Sequence, residues 1–326
     1  MSFTYEVQQA KKDAHEFAMI TGFDGKIRDL VIPGSIDGYI VEAIGNHSFS
    51  GRDDIENVSI PESVKILYGF AFHNCKNLKK ITLFDSIQDY YDGVCRQCDN
   101  LEEVEITVNN SWFEVIRSFL ADNDKTLRFL IHTGERKEQD CENNGAFGNG
   151  NSGDKSGYLT SCLTFPEYVY DFNENTMART IQFSIAGSGY AFRECVDRRR
   201  IDYRQYDSLF EKAVIDGGEI AQDISVYRIL YPVELESRYR SVYEKYIRDN
   251  AEKILERYVK KCAYSCNNAD DILLIRKLLE HRELFGEMAV NSAIELSVQF
   301  QDTVLTALLM SEGSAMAEKA VTEFAF

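Results

Sequence analysis

One phrase written three times constrains this chain more than any other feature. Ile55-Glu-Asn-Val58-Ser-Ile60 returns as Leu78-Lys-Lys-Ile81-Thr-Leu83 and again as Leu101-Glu-Glu-Val104-Glu-Ile106. The step is about 23 residues each time, a period that belongs to a solenoid, where a unit buries its apolar residues only by stacking on its neighbours. Apolar residues at the first, fourth and sixth positions put the last two on one face of a short strand and the residues between them on the other. An earlier unit starts at Lys26: Ile27, Leu30 and Ile32 match Ile55, Val58 and Ile60, and Pro33 matches Pro61. Val41, Ile44 and Phe49 likewise match Val64, Leu67 and Phe72, with Gly34 to Tyr39 as a short insertion.

The run from Ile60-Pro-Glu-Ser-Val64 through Ala71-Phe72 to Cys75-Lys-Asn-Leu78 closely resembles the BspA-like leucine-rich repeat family, whose recurring marks are I-P-x-S-V, A-F and C-x-x-L. The first unit matches at Ile32-Pro33, Val41, Ile44, Ser48-Phe49 and Gly51. The third departs from the pattern, with Phe84 in place of the proline and Val94-Cys95 in place of Ala71-Phe72. Across residues 20 to 132 the resemblance implies a right-handed solenoid with a parallel sheet on one side, and it names no ligand.

Around this block the expected fold is α+β and multi-domain. Phe3–Val7 and Glu16–Ile20 read as a hairpin that caps the apolar end of the solenoid. Trp112 to Leu120 reads as helix, and Leu127 to His132 as a further parallel strand, the last of its sheet. The solenoid with its cap thus occupies 1–135. Residues 136–157, rich in Gly, Asn and Ser, read as a flexible linker or insertion. Residues 158–205 form a bridging segment in which 168–172 and 180–185 alternate as strands do. From 206 to 326 the period becomes helical, with one amphipathic stripe running from Tyr239 to Val259. Leu278-Leu-Glu280 returns as Leu308-Leu-Met310, which weakly resembles the helix pairs of ankyrin repeats, although the T-P-L-H turn is missing.

Composition narrows the function classes. A formal net charge of -17 opposes any general affinity for nucleic acid. No apolar run reaches the roughly 18 residues of a membrane-spanning helix, so no membrane role is expected. Eight cysteines in 326 residues are far too sparse for a disulfide scaffold, and a reducing compartment is the simpler reading. The first residues carry neither a positive n-region nor an apolar h-region. A cytoplasmic location is therefore expected, or an extracellular one if a leader has been removed.

Motifs that name a chemistry dissolve on inspection. Cys95-Arg-Gln-Cys98 has the spacing of half a zinc or redox site, but the repeat puts Cys98 at the Cys75 position and Cys95 at the Phe72 position, both inward. Gly148-x-Gly150-x-x-Gly153 lacks the strand before it and the helix after it that a dinucleotide site requires. Arg198-Arg-Arg200, with Arg204 nearby, reads as a solvated helix entrance facing Asp197, Asp202 and Asp207. His15, His47, His73, His132 and His281 have no metal-ligand spacing. No catalytic residue, cofactor or metal is expected.

The solvent side of the strands carries the functional expectation. The repeat register places Asp29, Asn57, Lys80, Glu103 and Phe129 in one outward ladder and Val31, Ser59, Thr82, Glu105 and Ile131 in its neighbour. Phe129 and Ile131 would then be apolar residues on a wet face, a mark of contact sites, unless the tyrosine-rich middle segment packs over them. The leading expectation is a non-enzymatic scaffold that presents this surface to a protein partner. The rival is an enzyme or small-molecule sensor with a cleft where the middle segment meets the solenoid, lined by Tyr168, Tyr170, Arg193 and Asp197. A self-associating structural protein is the third.

Overall fold

A computed structural model of the chain describes residues 2–10, 14–134, 158–175, 180–264 and 269–311. The reading of 136–157, with its Gly148-x-Gly150-x-x-Gly153, lies outside them. The chain opens on β1 (Ser2–Gln9) and β2 (Glu16–Asp24), paired antiparallel as the hairpin reading requires. After β3 (Asp29–Val31) comes a small hairpin of β4 (Ser35–Ile36) and β5 (Tyr39–Ile44). Its Asp37-Gly38 turn has φ of 49° and 90°, the left-handed pair that a two-residue hairpin needs. This hairpin is the insertion of the first unit.

Each later unit places one strand in each of two sheets. β6 (Asn57–Ser59), β8 (Lys80–Phe84) and β10 (Glu103–Val108) alternate with β7 (Ile66–Leu67) and β9 (Asp89–Tyr90). The helix α1 (Glu114–Asp122) then precedes β11 (Leu127–Gly134) and β12 (Tyr158–Phe165). The larger sheet runs β12-β11-β10-β8-β6-β3, parallel except for β12, and the other runs β1-β2-β5-β7-β9. β11 is therefore not the last strand of its sheet, because β12 adds antiparallel along its full length, from Leu127 opposite Phe165 to Gly134 opposite Tyr158.

Stacked apolar ladders fill the interior. Leu30, Val58, Ile81, Val104 and Phe129 make one and Ile32, Ile60, Leu83, Ile106 and Ile131 the next, all at most 2% exposed. Phe49 and Phe72 stack one turn apart, with ring centroids 5.3 Å apart and planes 6° from parallel. The cysteines belong to this framework. Cys75 Sγ donates to the Phe49 carbonyl at 3.1 Å, and one turn on Cys98 Sγ donates to the Phe72 carbonyl at 3.0 Å. Burial, followed by hydrogen bonding with Cys98, raises the Cys95 thiol well above its ordinary range, the state of an inert core thiol. In the first unit Arg52 holds the Cys75 position and donates to the Phe23 carbonyl at 2.9 Å.

The backbone repeats as strictly as the side chains. His47, Phe70 and Gly93 all have φ between 55° and 71°, and so, four residues later in each turn, do Gly51, Asn74 and Gln97, at 57° to 72°. Two left-handed positions per turn are built into this solenoid, and only two of these six residues are glycine.

The middle segment continues as the hairpin β13 (Val169–Asn175) and β14 (Thr180–Ala186), followed by α2 (Gly189–Arg193), α3 (Tyr203–Ser208) and α4 (Phe210–Asp216). Asp202 caps α3 by accepting from the Gln205 N–H at 2.8 Å. Residues Met1–Gly217 form one compact unit and Gly218–Phe326 a second. The second contains α5 (Ile220–Leu230), α6 (Ser237–Asp249), α7 (Ala251–Tyr264), α8 (Ala269–Glu280) and α9 (Glu287–Gln299), and residues 303–311 are helical. The stripe from Tyr239 to Val259 is two helices, not one. At Asn250 the backbone leaves helical geometry (φ −124°, ψ 16°), and the side chain donates to the Tyr246 carbonyl at 2.9 Å. α6 buries Tyr243 and Ile247, while α7 buries Ile254, Leu255, Tyr258 and Val259 and packs on α8 and α9.

Candidate interaction face and cleft

The outward ladder follows from strand register. Asp29, Asn57, Lys80 and Glu103 pair in sequence across β3, β6, β8 and β10, and the partner of Glu103 on β11 is Arg128. In the neighbouring row Val31, Ser59, Thr82 and Glu105 lead to Leu130. Phe129 and Ile131, expected on this face, lie inside at 0% exposure. The cause is a change of step. The passage through α1 shifts the register so that Glu103 meets the residue 25 positions on, not 26, and a one-residue slip moves every side chain of a strand to its other face. Phe129 packs edge-on against Phe165 of β12 at 5.6 Å, so part of the middle segment does cover this end, as a strand.

The corrected face is a network of its own charges. Lys80 Nζ lies 2.9 Å from Glu103 Oε1 and 2.8 Å from Glu105 Oε2, and Arg128 reaches Glu103 Oε2 at 2.7 Å. His132 stands 3.1 Å from Glu105 and 3.0 Å from Thr160 Oγ1. Burial works against the Glu103 charge, but Arg128 and Lys80 outweigh it and hold the carboxyl below its ordinary range. Asn57 Nδ2 donates to Asp29 Oδ1 at 2.6 Å. Asp29 and Val31, at the β3 end, are exposed, Val31 at 61%. The exposed apolar residue of the ladder thus sits at the end opposite to the one expected.

The four residues expected to line a cleft do not form one. Arg193 is buried and donates to the carbonyls of Leu120, Asn123, Lys125, Pro166 and Gly189, and its guanidinium lies 4.7 Å from the Tyr168 ring centroid. Burial lowers its pKa to about 10. It ties the end of α1 to the middle segment. Tyr170 and Asp197 are exposed.

A cleft does exist where the middle segment meets the solenoid, built from other residues. A cavity of about 370 Å³ is lined by Gln88, Asp89, Tyr91, Trp112, Glu114 and Arg198, among others. Its walls are fixed. Tyr90 OH donates to Asp122 at 2.8 Å, and the same carboxylate accepts from the N–H groups of Gly93 and Cys95, which holds α1 against β9. The Phe113 N–H donates to the Arg198 carbonyl at 2.9 Å, and Arg198 Nε lies 3.2 Å from Glu114 Oε2. Asp85, 3% exposed, accepts from the N–H groups of Asn109, Asn110 and Trp112 and from Asn110 Nδ2, and so sets the loop that delivers Trp112. Sequence reasoning missed Asp85, although it adjoins Phe84, where the third unit leaves the family pattern.

Parallel strands in two sheets, with one strand per sheet in each repeat, define a β-solenoid. Residues 25–128 match the BspA type Leucine rich repeat region, in six copies. No curated protein matches the chain significantly. Among solved structures, a leucine rich cell surface protein from Faecalibacterium prausnitzii is 17% identical, with 32% of this chain and 43% of that one covered, at a TM-score of 0.22. The T. pallidum Leucine Rich Repeat protein is 20% identical over 36% and 76% of the two chains, at 0.22. A leucine-rich repeat protein from Bacteroides ovatus is 14% identical over 32% and 48%, at 0.19. The chain thus spans less than half the length of the first and third of these proteins.

Proposed function

We propose that the chain is a non-enzymatic protein-interaction scaffold whose binding surface is the outer face of the larger sheet. The observation that carries this reading is the continuous double row of outward residues across five parallel strands, Asp29 to Arg128 and Val31 to Leu130, on a rigid apolar backing. A broad, regular surface suits a partner of comparable size better than a small molecule. Contact begins at exposed Asp29 and Val31 and extends to half-buried Thr82, a neutral position beside charges that are already satisfied internally. Free, buried thiols at all six described cysteines support a reducing, cytoplasmic setting, which fractionation of the source cells checks.

The test is crosslinking in source-cell extract followed by mass spectrometry, comparing the natural chain with a Val31→Asp, Thr82→Lys variant. Retention of a protein by the natural chain and at least tenfold loss in the folded variant are expected. Undiminished retention by the variant would remove this face from consideration.

A further inference from the structure

We propose that the cleft between β9, α1 and the Arg198 loop binds a neutral saccharide. Its volume of about 370 Å³ lies at the small end of the roughly 300–1,000 Å³ range of ligand pockets. Two aromatic rings, Tyr91 and Trp112, line it. Tyr91 is 49% exposed yet held in place by stacking on Tyr68, with centroids 5.2 Å apart and planes 19° from parallel. Trp112 is steadied by Arg199, whose guanidinium lies 5.6 Å from its ring centroid, and by its N–H bond to Asp85. Rings fixed in this way offer flat faces to the C–H face of a sugar at little cost in side-chain entropy.

The polar lining selects against an anion, which would meet Asp89 and Glu114. For a cation the lining holds Arg198 and Glu114 already paired with each other at 3.2 Å, which leaves Asp89 as the carboxylate that the choline control addresses. What remains is a mixture of donors and acceptors, the Gln88 amide, the Asp89 carboxylate, the Tyr91 hydroxyl and the Trp112 indole N–H, which matches the paired donor and acceptor character of neighbouring hydroxyl groups. No covalent step is involved. The site is separate from the partner face, so either reading stands or falls without the other.

Trp112 is the only tryptophan of the chain, which makes its fluorescence a direct report on the cleft. The experiment titrates the full chain with three uncharged probes, maltotriose, cellotriose and triacetylchitotriose, and with inorganic phosphate and choline as charged controls. A saturable change with at least one saccharide at millimolar concentration is expected. Affinity should fall at least tenfold in Tyr91→Ala and in Asp89→Ala, both exposed positions, and stay unchanged in Arg200→Ala, with equal melting temperatures confirming the fold. No saturable change with any of the three saccharides up to about 10 mM, where binding free energy falls below that of a 1 mM site, would overturn the proposal. So would unaltered affinity in both cleft variants, or tighter binding of phosphate or choline than of every saccharide.

Discussion

The regular face of the larger sheet and the irregular corner around Trp112 are made by the same repeat, and they differ in what is left for a ligand. On the face, repetition aligns Lys80, Glu103, Glu105 and Arg128 closely enough to neutralise one another. At the corner the repeat breaks. Phe84 replaces a proline, Asp85 turns inward to collect four N–H donors, and the chain leaves the solenoid to form α1. Regularity yields a surface that satisfies itself, while departure from it opens a cleft with ring faces and polar groups to spare.

The contrast can be broken most severely in the core that both regions share. Leu78→Ala is expected to cost about 2–5 kcal/mol, because Leu78 is fully buried, whereas Lys79→Ala, which removes an exposed pair with Glu56, costs under about 1 kcal/mol. Urea unfolding monitored by circular dichroism distinguishes them. Asp85→Ala removes the charged acceptor of four N–H donors in the loop before α1 and should cost about 3 kcal/mol, shifting Trp112 fluorescence to the red even where the chain stays folded. An equal loss of stability with unchanged fluorescence would mean that Asp85 does not shape the corner.

Acid separates the two regions by sign. Arg52 holds the Asp54 carboxyl well below its ordinary range, and Arg128 with Lys80 holds Glu103 lower against the effect of burial. Both groups contribute stability above the ordinary carboxylate pKa of about 4, and it is lost as pH falls through their depressed folded values. At the corner, burial raises the pKa of Asp122 although Tyr90 and two backbone N–H groups donate to it, so protonating it favours the folded state. Thermal melts from pH 7 downward should therefore fall less steeply in Asp54→Asn and Glu103→Gln than in the natural chain. The smallest expected effect lies in the backbone. Gln97→Gly, at φ 63°, should stabilise by up to about 1 kcal/mol, since left-handed geometry costs a side-chain-bearing residue roughly that amount.

How much of this was legible in the sequence depends on distance from the repeat. Between Val58 and Val104 a step of about 23 residues sorts inside from outside, and the buried cysteines follow from Phe72 and Cys75 by alignment alone. The register fails one strand later, because a helix inserted between strands has no fixed length in the repeat. The alternation of Leu127, Phe129 and Ile131 with Arg128 and Leu130 was the local signal that points Phe129 inward. The break at Asn250 escaped for a related reason. A three-and-four stripe continues across a short helix-to-helix turn when both helices bury the same side. The cleft was expected at the right junction with the wrong residues, since its walls are set by contacts such as Tyr90 with Asp122, 32 residues apart, that no periodicity encodes.

The asparagines of the turns carry a last consequence. Asn77 Nδ2 donates to the Asp53 carbonyl and, one repeat on, Asn100 Nδ2 donates to the Lys76 carbonyl, as Cys75 and Cys98 do to Phe49 and Phe72. These side chains hand their donors back to the previous turn, while backbone N–H groups such as those of Phe49 and Phe72 donate forward, to the carbonyls of Ala71 and Val94 in the next. A duplicated segment equivalent to Pro61–Leu83 would arrive with both halves of this exchange complete, so the protein can lengthen by whole turns while its cap and its corner stay as they are. Insertion of a single residue in the same place would interrupt every such bond it crosses.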